Sequence, residues 1–171
     1  VHLAPIVALR GSEECTAYYR ELRDELAERV DRRVGGITDE RHRLLWDNIA
    51  IWYKLRDHSR LFAEHGFAFV CATYSRAWSE SWEGFDPQHP SESTARMLST
   101  VLLNRDLPNK LKIMRNLIRD FAVDGVVLHS DRSCKPYSVG QVDLKDTLAR
   151  ENGVKVVMLE ADHADPRAYS A

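Results

Sequence analysis

Four short, largely apolar runs alternate along this chain with longer segments of helical periodicity. The runs cover residues 43–46, 67–73, 126–129 and 154–159. Runs of this length are typical of strands buried in a parallel sheet, and the helices between them supply right-handed crossovers. The pattern therefore predicts an α/β fold, a flavodoxin-like or Rossmann-like parallel sheet of about four strands with helices on both faces. Runs 67–73, 126–129 and 154–159 are expected to be adjacent in the sheet.

The helical segments are marked by apolar spacing and by terminal signals. Ser12 can cap a helix whose apolar stripe runs from Tyr18 to Val30 and which ends at Gly35, and this stripe is expected to pack on something. We predict that residues 1–36 form a linking or docking helix ahead of one flavodoxin-like domain at 37–171. Further helices are predicted at 51–65, 94–103, 108–121 and 138–152, and irregular structure or short helical turns at 74–90.

The composition is that of one compact domain. The chain has 171 residues, of which 44% are hydrophobic and 29% charged, with a formal net charge of −2. This balance excludes a disordered tail and provides no field that would recruit nucleic acid or an anionic membrane surface. No segment approaches the roughly 18 continuous apolar residues of a spanning helix, so no membrane contact is expected and a cytoplasmic location is predicted. The two ends are interpreted as cuts and the chain as a fragment.

Reactive side chains are densest after the third apolar run, between His129 and Ser138. Ligands bind to open parallel sheets beyond the carboxyl ends of the strands, where this segment is expected to lie. Cys134 precedes a helix predicted to begin near Ser138, and it stands between Arg132 and Lys135. Positive neighbours and the helix dipole favour the thiolate, which indicates a functional cysteine. The alternative is a half-buried cysteine in a strand-to-helix turn without a function.

The remaining candidates leave alternatives open. Cys15 and Cys71 are interpreted as packing or surface residues, because one lies in the first turn of an exposed helix and the other inside an apolar strand. His129 could act as a base toward Cys134 or be a hydrogen-bonded loop histidine. The polar loop at 160–167 either binds a metal or ligand or satisfies its own backbone through Asx turns and salt bridges.

Other motifs give little further direction. A single thiolate cannot hold an iron-sulfur cluster or a zinc ion, which need about three or four protein ligands. There is no Walker-type loop, no G-x-G-x-x-G and no G-x-S-x-G, so nucleotide binding and serine hydrolysis have no motif behind them. Four tryptophans near the first two strand ends are interpreted as core residues, or as a shield that keeps water from a pocket. They are Trp46, Trp52, Trp78 and Trp82.

Two longer runs of sequence resemble a known family. They are DGVVLHSDRSCKPYSVGQ at 124–141 and LEADHADPRAYS at 159–170. RLLWDNI at 43–49, followed by Trp52, and YYREL at 18–22 agree in the same order. Together they are similar to the last part of the subunits of 2-hydroxyacyl-CoA dehydratases and benzoyl-CoA reductases. The resemblance extends from about residue 12 to the end of the chain.

The resemblance implies a two-domain subunit in which both halves are flavodoxin-like and a [4Fe-4S] cluster lies between them. It implies that Cys134 is a cluster ligand and that two further cysteines come from an amino-terminal half. The cluster or substrate environment is then expected to include five neighbouring residues. They are His129, Arg132, Ser133, Tyr137 and Ser138.

The resemblance also implies the partners and the reaction. The partners are a homologous second subunit, an ATP-hydrolysing iron-sulfur activator protein and an acyl-CoA substrate. The activator delivers one strongly reducing electron, which leads either to radical dehydration of a 2-hydroxyacyl-CoA or to reduction of a benzoyl-CoA-type ring. The alternative to this enzyme subunit is a thiol redox module or a structural flavodoxin-like binding module.

Overall fold

The computed structural model describes residues 2–79 and 84–169. The strands are β1 (His42–Asp47), β2 (Phe67–Ala72), β3 (Gly125–Asp131) and β4 (Lys155–Ala161). The helices are α1 (Ala4–Ala8), α2 (Glu13–Asp31), α3 (Leu55–Glu64), α4 (Thr73–Ser79), α5 (Pro90–Thr100), α6 (Leu107–Asp120), α7 (Lys135–Ser138) and α8 (Gln141–Asn152). Short 3-10 turns lie at Trp52–Lys54, Leu102–Asn104 and Pro166–Ala168. Trp82 and Ser170 are outside the described residues.

All four strands are parallel and lie in the order β2-β1-β3-β4. The predicted parallel α/β sheet is confirmed, and this order is the flavodoxin-like one. The expected adjacency of 67–73 with the other two runs is wrong, because β1 lies between β2 and β3. The chain builds outward from β1 to β2 and then returns to the other side of β1. This reversal depends on how the helices pack on the sheet, which the apolar runs do not encode.

The core lies on both faces of the sheet. One face packs against α6 and α8 through a cluster that contains Leu45 and Leu128, both fully buried, with Met114, Leu117 and Leu148 from the helices. The other face packs against α3 around Leu44, Trp46 and Val127. Alternate residues of β1 and β3 therefore point to opposite helical layers, which explains why the middle of each strand is apolar on both faces.

The outer strands are less buried than their sequences predict. β2 was expected to be buried on both faces, but it is an edge strand and Phe69 is 37% exposed. Val157 of β4, the opposite edge, is 55% exposed. An edge strand has a neighbour on one side only, so apolar content alone does not distinguish it from a central strand.

Two helix boundaries also differ from the sequence-based expectation. The helix predicted at 138–152 is two helices, α7 and α8, separated by Gly140, which caps α8 with a left-handed backbone at φ +83°. Residues 73–79 form the regular helix α4, where irregular structure or short turns were expected. The helices predicted near 51–65, 94–103 and 108–121 are present as a 3-10 turn with α3, as α5 with a second 3-10 turn, and as α6.

The amino-terminal helix has the predicted start but an uncovered stripe. The Ser12 hydroxyl accepts a hydrogen bond from the Cys15 amide at 3.1 Å, as an N-cap residue does. Leu26 and Val30, at the far end of α2, are 53% and 74% exposed, so within the described part of the chain nothing covers them. The division into a helix at 1–36 and a domain at 37–171 stays a prediction. None of the described helices is long and apolar enough to cross a membrane.

Candidate functional site

The candidate site lies at the carboxyl ends of β1 and β3, where the strand order reverses. From β1 the chain continues toward β2 on one side, and from β3 it continues toward β4 on the other. Loops that diverge in this way leave a crevice between them, which is the usual ligand site of such sheets. Asn48 follows β1 directly, Thr73 follows β2, and Cys134 follows β3 within three residues.

Cys134 is held in a short turn between β3 and α7. Its amide donates to the Asp131 carbonyl at 3.3 Å, and its own carbonyl accepts from the Ser138 amide at 3.1 Å. The thiol is partly exposed and touches the edge of the larger core cluster. The sequence predicted a helix that begins near Ser138. In the structure the helix α7 begins at Lys135 and has only four residues.

Arg132, two residues before Cys134, forms an ion pair with an acidic residue of β4. Its guanidinium pairs with the Glu160 carboxylate at the end of β4, with a separation of 2.6 Å between Nη2 and Oε1. Both side chains are largely exposed, so this pair contributes little to stability. The pair joins the loop after β3 to the end of β4.

The loops after β3 and β4 meet at the same end of the sheet, the one where the strands have their carboxyl ends, as parallel strands require. His163 Nδ1 lies 2.8 Å from Asp131 Oδ2, and the Ser133 hydroxyl donates to Asp162. The Arg132 amide also donates to the Ala161 carbonyl at 3.0 Å. The expectation that the two loops share one edge is thus confirmed. Asp131, which sequence reasoning did not single out, is the residue that connects them.

Asp162 organises the polar loop after β4. Its Oδ1 accepts from the Ala164 and Asp165 amides at 2.8 and 2.9 Å, which is an Asx turn. The hydroxyl of Ser133 and these amides stabilise the carboxylate, so the pKa of Asp162 falls to about 2. Asp131, Asp162 and His163 each place one atom within 4.8 Å of the others, a spacing that would suit a metal ion. Their mutual contacts match the interpretation in which the loop satisfies its own backbone.

Replacing Asp162 with asparagine should destabilise the protein at neutral pH and less in acid. Because the folded pKa is near 2 and the unfolded value is 3.8, the ionised carboxylate stabilises the fold above pH 3.8 and loses that effect as pH falls toward 2. An asparagine Nδ2 also cannot accept the Ser133 hydroxyl. Urea unfolding of the full-length protein from pH 7 down to pH 3, with the exposed Asp146→Asn on α8 as control, measures this. A gap between wild type and Asp162→Asn that stays constant with pH would contradict it.

His129 lies inside β3, near its carboxyl end. It is fully buried, and its Nδ1 lies 2.7 Å from the Ile49 carbonyl, so this nitrogen carries the proton and donates. Its ring centroid is 5.9 Å from that of Trp46. Among the described residues no hydrogen bond joins His129 to Cys134. The interpretation as a hydrogen-bonded histidine is therefore favoured over that of a catalytic base.

A buried polar network lies beneath the Cys134 turn. Asp47 Oδ1 accepts from the Thr73 hydroxyl at 2.8 Å, and Oδ2 accepts from the Gln141 side-chain amide at 2.9 Å. Burial raises the pKa of Asp47, while the hydrogen bonds from Gln141 and Thr73 oppose that rise. Lys110 reaches the same region and donates to the Pro136 carbonyl at 2.8 Å. Sequence reasoning missed Thr73, Gln141 and Lys110 as site residues. Of the three, only Thr73 stands at the end of an apolar run, where a polar residue could have been noticed.

Tyr137 and Ser138 lie in α7, and Cys71 and Cys15 lie farther from the Cys134 turn along the chain. Tyr137 is buried, and burial together with the nearby Asp47 carboxylate raises the pKa of its phenol. The Ser138 hydroxyl donates to the Asp131 carbonyl at 2.8 Å. Burial raises the pKa of the Cys71 thiol to about 11, so this cysteine stays protonated inside β2. Cys15 is buried in α2, so its interpretation as a packing residue applies and a surface position does not.

The tryptophans divide between core and crevice. Trp46 is buried beneath α3, as expected of a core residue. Trp52 is 48% exposed beside the loop after β4, where its amide donates to the His163 carbonyl at 3.2 Å. Its ring meets Tyr74 edge-on at 6.0 Å, and Tyr74 in turn meets Trp78 at 6.3 Å. An aromatic row therefore extends along one side of the crevice.

Comparison with known proteins shows which family this sequence is related to. A sequence model for the family described as 2-hydroxyglutaryl-CoA dehydratase, D-component, matches residues 1–171. The chain belongs to this family. It is 30% identical over 172 residues to the (R)-phenyllactyl-CoA dehydratase alpha subunit of Clostridium sporogenes, covering 99% of this chain and 40% of that protein.

Two other relatives of the dehydratase D-component family match over nearly the same span. A benzoyl-CoA reductase subunit of Thauera aromatica is 27% identical over 171 residues, with 95% of this chain and 40% of that protein covered. The alpha subunit of (R)-2-hydroxyglutaryl-CoA dehydratase from Acidaminococcus fermentans is 27% identical over 179 residues, with 99% of this chain and 35% of that protein covered. The chain thus spans about two fifths of the length of these relatives. The family resemblance read from the sequence is confirmed.

Proposed function

We propose that this chain is part of an enzyme subunit that acts on acyl-CoA thioesters, and that Cys134 is one ligand of a [4Fe-4S] cluster. The observation that carries the proposal is the position of Cys134. Its partly exposed thiol follows the central strand β3 at the point where the strand order reverses. The match of the dehydratase D-component family to the whole chain supports the class of enzyme.

The donor set of this chain fits one ligand of such a cluster. Thiolates are the donors that iron-sulfur clusters take from proteins. Cys71 lies on β2, two strands away from β3, and Cys15 is buried in α2. The other ligands would come from the remainder of a longer subunit, since the chain spans about two fifths of its relatives' length. Two cysteines from an amino-terminal half would complete the set.

A bound cluster would supply one strongly reducing electron and, at an iron with a non-cysteine position, a Lewis acid for the thioester oxygen. The residues of this chain would have a different role, which is to form the walls of the site and to exclude water from it. Ser133 and Arg132 connect the Cys134 turn to the end of β4 through Asp162 and Glu160. Trp52 and Tyr74 present aromatic rings along the crevice and would exclude water from a reactive intermediate.

The proposal includes two partner proteins, and two reactions are compatible with it. A homologous second subunit would complete the enzyme, and an ATP-hydrolysing iron-sulfur activator would supply the electron. The relatives include both 2-hydroxyacyl-CoA dehydratase subunits and a benzoyl-CoA reductase subunit at similar identity. We therefore propose that the enzyme either dehydrates a 2-hydroxyacyl-CoA or reduces a benzoyl-CoA-type ring. The alternatives are a thiol redox module, in which Cys134 would act without Cys71 because β1 lies between β2 and β3, and a structural flavodoxin-like binding module.

Anaerobic reconstitution of the full-length subunit tests this proposal. We expect the purified subunit to take up about four irons and to show the absorbance and paramagnetic resonance spectra of a [4Fe-4S] cluster. Together with its second subunit and activator, it should convert a 2-hydroxyacyl-CoA or a benzoyl-CoA-type thioester in the presence of ATP. A subunit that takes up no iron would contradict the cluster, and iron uptake without either conversion would contradict the enzyme class.

A further inference from the structure

Asn48 has an unusual position directly after β1. It is fully buried and its backbone is left-handed, at φ +82°. Few residues other than glycine adopt this backbone, and asparagine is enriched among them. The Asn48 amide donates to the Thr73 hydroxyl at 3.0 Å, and its Oδ1 accepts from the Ile49 amide at 2.6 Å. The backbone and one end of the side chain are therefore fixed, which leaves the Nδ2 amide to point across the crevice.

The Nδ2 amide of Asn48 reaches a carbonyl that the sheet does not pair on this side. The β1–β3 register ends at Asp47 and Leu128, while the β3–β4 register continues to Asp131 and Ala161. The carbonyl of His129 lies one residue past the β1–β3 ladder. Asn48 Nδ2 donates to it at 2.8 Å, in the place where a further strand residue would have done so.

The side-chain amide of Gln141 donates to the same carbonyl. It is buried at the first position of α8, and its Nε2 donates to the His129 carbonyl at 3.0 Å and to Asp47 at 2.9 Å. Asn48 Nδ2 also lies 3.4 Å from the Ser138 hydroxyl, which itself donates to the Asp131 carbonyl. Two side-chain amides, 93 positions apart in sequence, thus converge on one atom at the base of the Cys134 turn.

We propose that Asn48 and Gln141 are positioning residues that hold segment 129–141, and with it Cys134, at the crevice. This inference rests on the proposed role of Cys134 as a ligand. His129 and Gln141 bracket the segment, so anchoring both ends to β1 limits the positions that the thiol can occupy. A buried side-chain amide can find hydrogen-bond partners at many places in a core. Asn48 and Gln141 instead donate to the same carbonyl, that of His129, just beyond the paired residues of β1 and β3. This shared partner is the reason for assigning both residues to the Cys134 turn.

The test uses the full-length subunit with Asn48→Gly and Gln141→Leu. Glycine keeps the left-handed backbone free of strain, so Asn48→Gly removes the carboxamide alone. Asn48→Asp keeps the shape and the acceptor but cannot donate to His129. The matched control is Asn104→Gly, because Asn104 Nδ2 also donates to a backbone carbonyl, that of Leu98 at 2.7 Å, which lies outside segment 129–141. Thermal unfolding of each variant shows whether the fold persists.

The first readout is amide hydrogen exchange in the iron-free, reduced subunit. We expect peptides that span 132–139 to exchange about tenfold faster in Asn48→Gly, Asn48→Asp and Gln141→Leu, with β2 and the control variant close to wild type. Unchanged exchange at 132–139, or an increase spread evenly over the domain, would overturn the positioning role.

The second readout is iron per subunit and the paramagnetic resonance spectrum after anaerobic reconstitution. We expect lower iron content or a shifted spectrum in the three site variants and neither in Asn104→Gly. Faster exchange with wild-type iron and an identical spectrum would overturn the link between these amides and the ligand. If wild type itself takes up no iron, the proposed function fails, and the exchange rates alone then support or overturn the hold on segment 129–141.

Discussion

Replacing Cys134 with alanine in the intact subunit is expected to abolish both bound iron and turnover. A cluster that loses one of about three protein thiolates has lost a soft donor that no neighbouring serine or lysine replaces. Iron occupancy should therefore fall, which is a larger change than a shift in reduction potential. The measurement is iron per subunit and turnover, with protein purified without oxygen.

Cys71→Ala is the matched control for this experiment. The Cys71 thiol is partly buried in β2, and its raised pKa keeps it protonated. Removing it leaves a small void and should lower the free energy of unfolding by on the order of 1 kcal/mol. Iron and turnover should stay near wild type. Full iron in Cys134→Ala would overturn the ligand assignment, and loss of iron in a folded Cys71→Ala would show that the other cysteine is the ligand.

Leu128→Ala is expected to cause a large loss of stability. Leu128 is fully buried in β3, where it packs against the helices α6 and α8. Truncating such a side chain removes buried apolar surface and leaves a cavity, which costs about 2 to 5 kcal/mol in the free energy of unfolding. The Cys134 turn begins three residues further on, so we also expect iron uptake to fall with the folded fraction.

Leu61→Ala provides the comparison for Leu128→Ala. Leu61 lies on α3 and is 53% exposed, so its truncation should change the free energy of unfolding by about 0.5 kcal/mol or less. Urea unfolding of the two variants, with hydrogen exchange of β3 amides as a local probe, measures the difference. Equal losses in the two variants would contradict the assignment of the sheet face beneath α6 and α8 as the main core.

Local sequence predicted the strands and helices well, because burial and periodicity show in the pattern of a few neighbouring residues. The apolar runs at 43–46, 126–129 and 154–159 are the strands β1, β3 and β4, and Ser12 caps α2 as its side chain suggested. Gly140 illustrates the limit of such patterns. Apolar spacing continues through it, yet its left-handed backbone ends α7 and begins α8.

The candidate site was predictable in part. The position of Cys134 after a buried strand followed from the sequence, as did the meeting of its turn with the loop after β4. The family resemblance added the expectation of a cluster ligand. The role of Asp131 as the link between the loops was not visible, because its partner His163 is 32 residues further along.

By itself, the sequence determined four strands, the parallel class of the sheet and the strand end at which Cys134 lies. These depend on hydrophobic burial and helical spacing, which short segments encode. Only the tertiary structure decided that β1 lies between β2 and β3, and that Asp47, Thr73 and Gln141 form one buried network. Asp47 and Gln141 are 94 positions apart, and a hydrogen bond between them exists only once the sheet has brought the ends of β1 and β3 together. A buried carboxylate requires such partners, and the strand order determines which side chains are near enough to provide them.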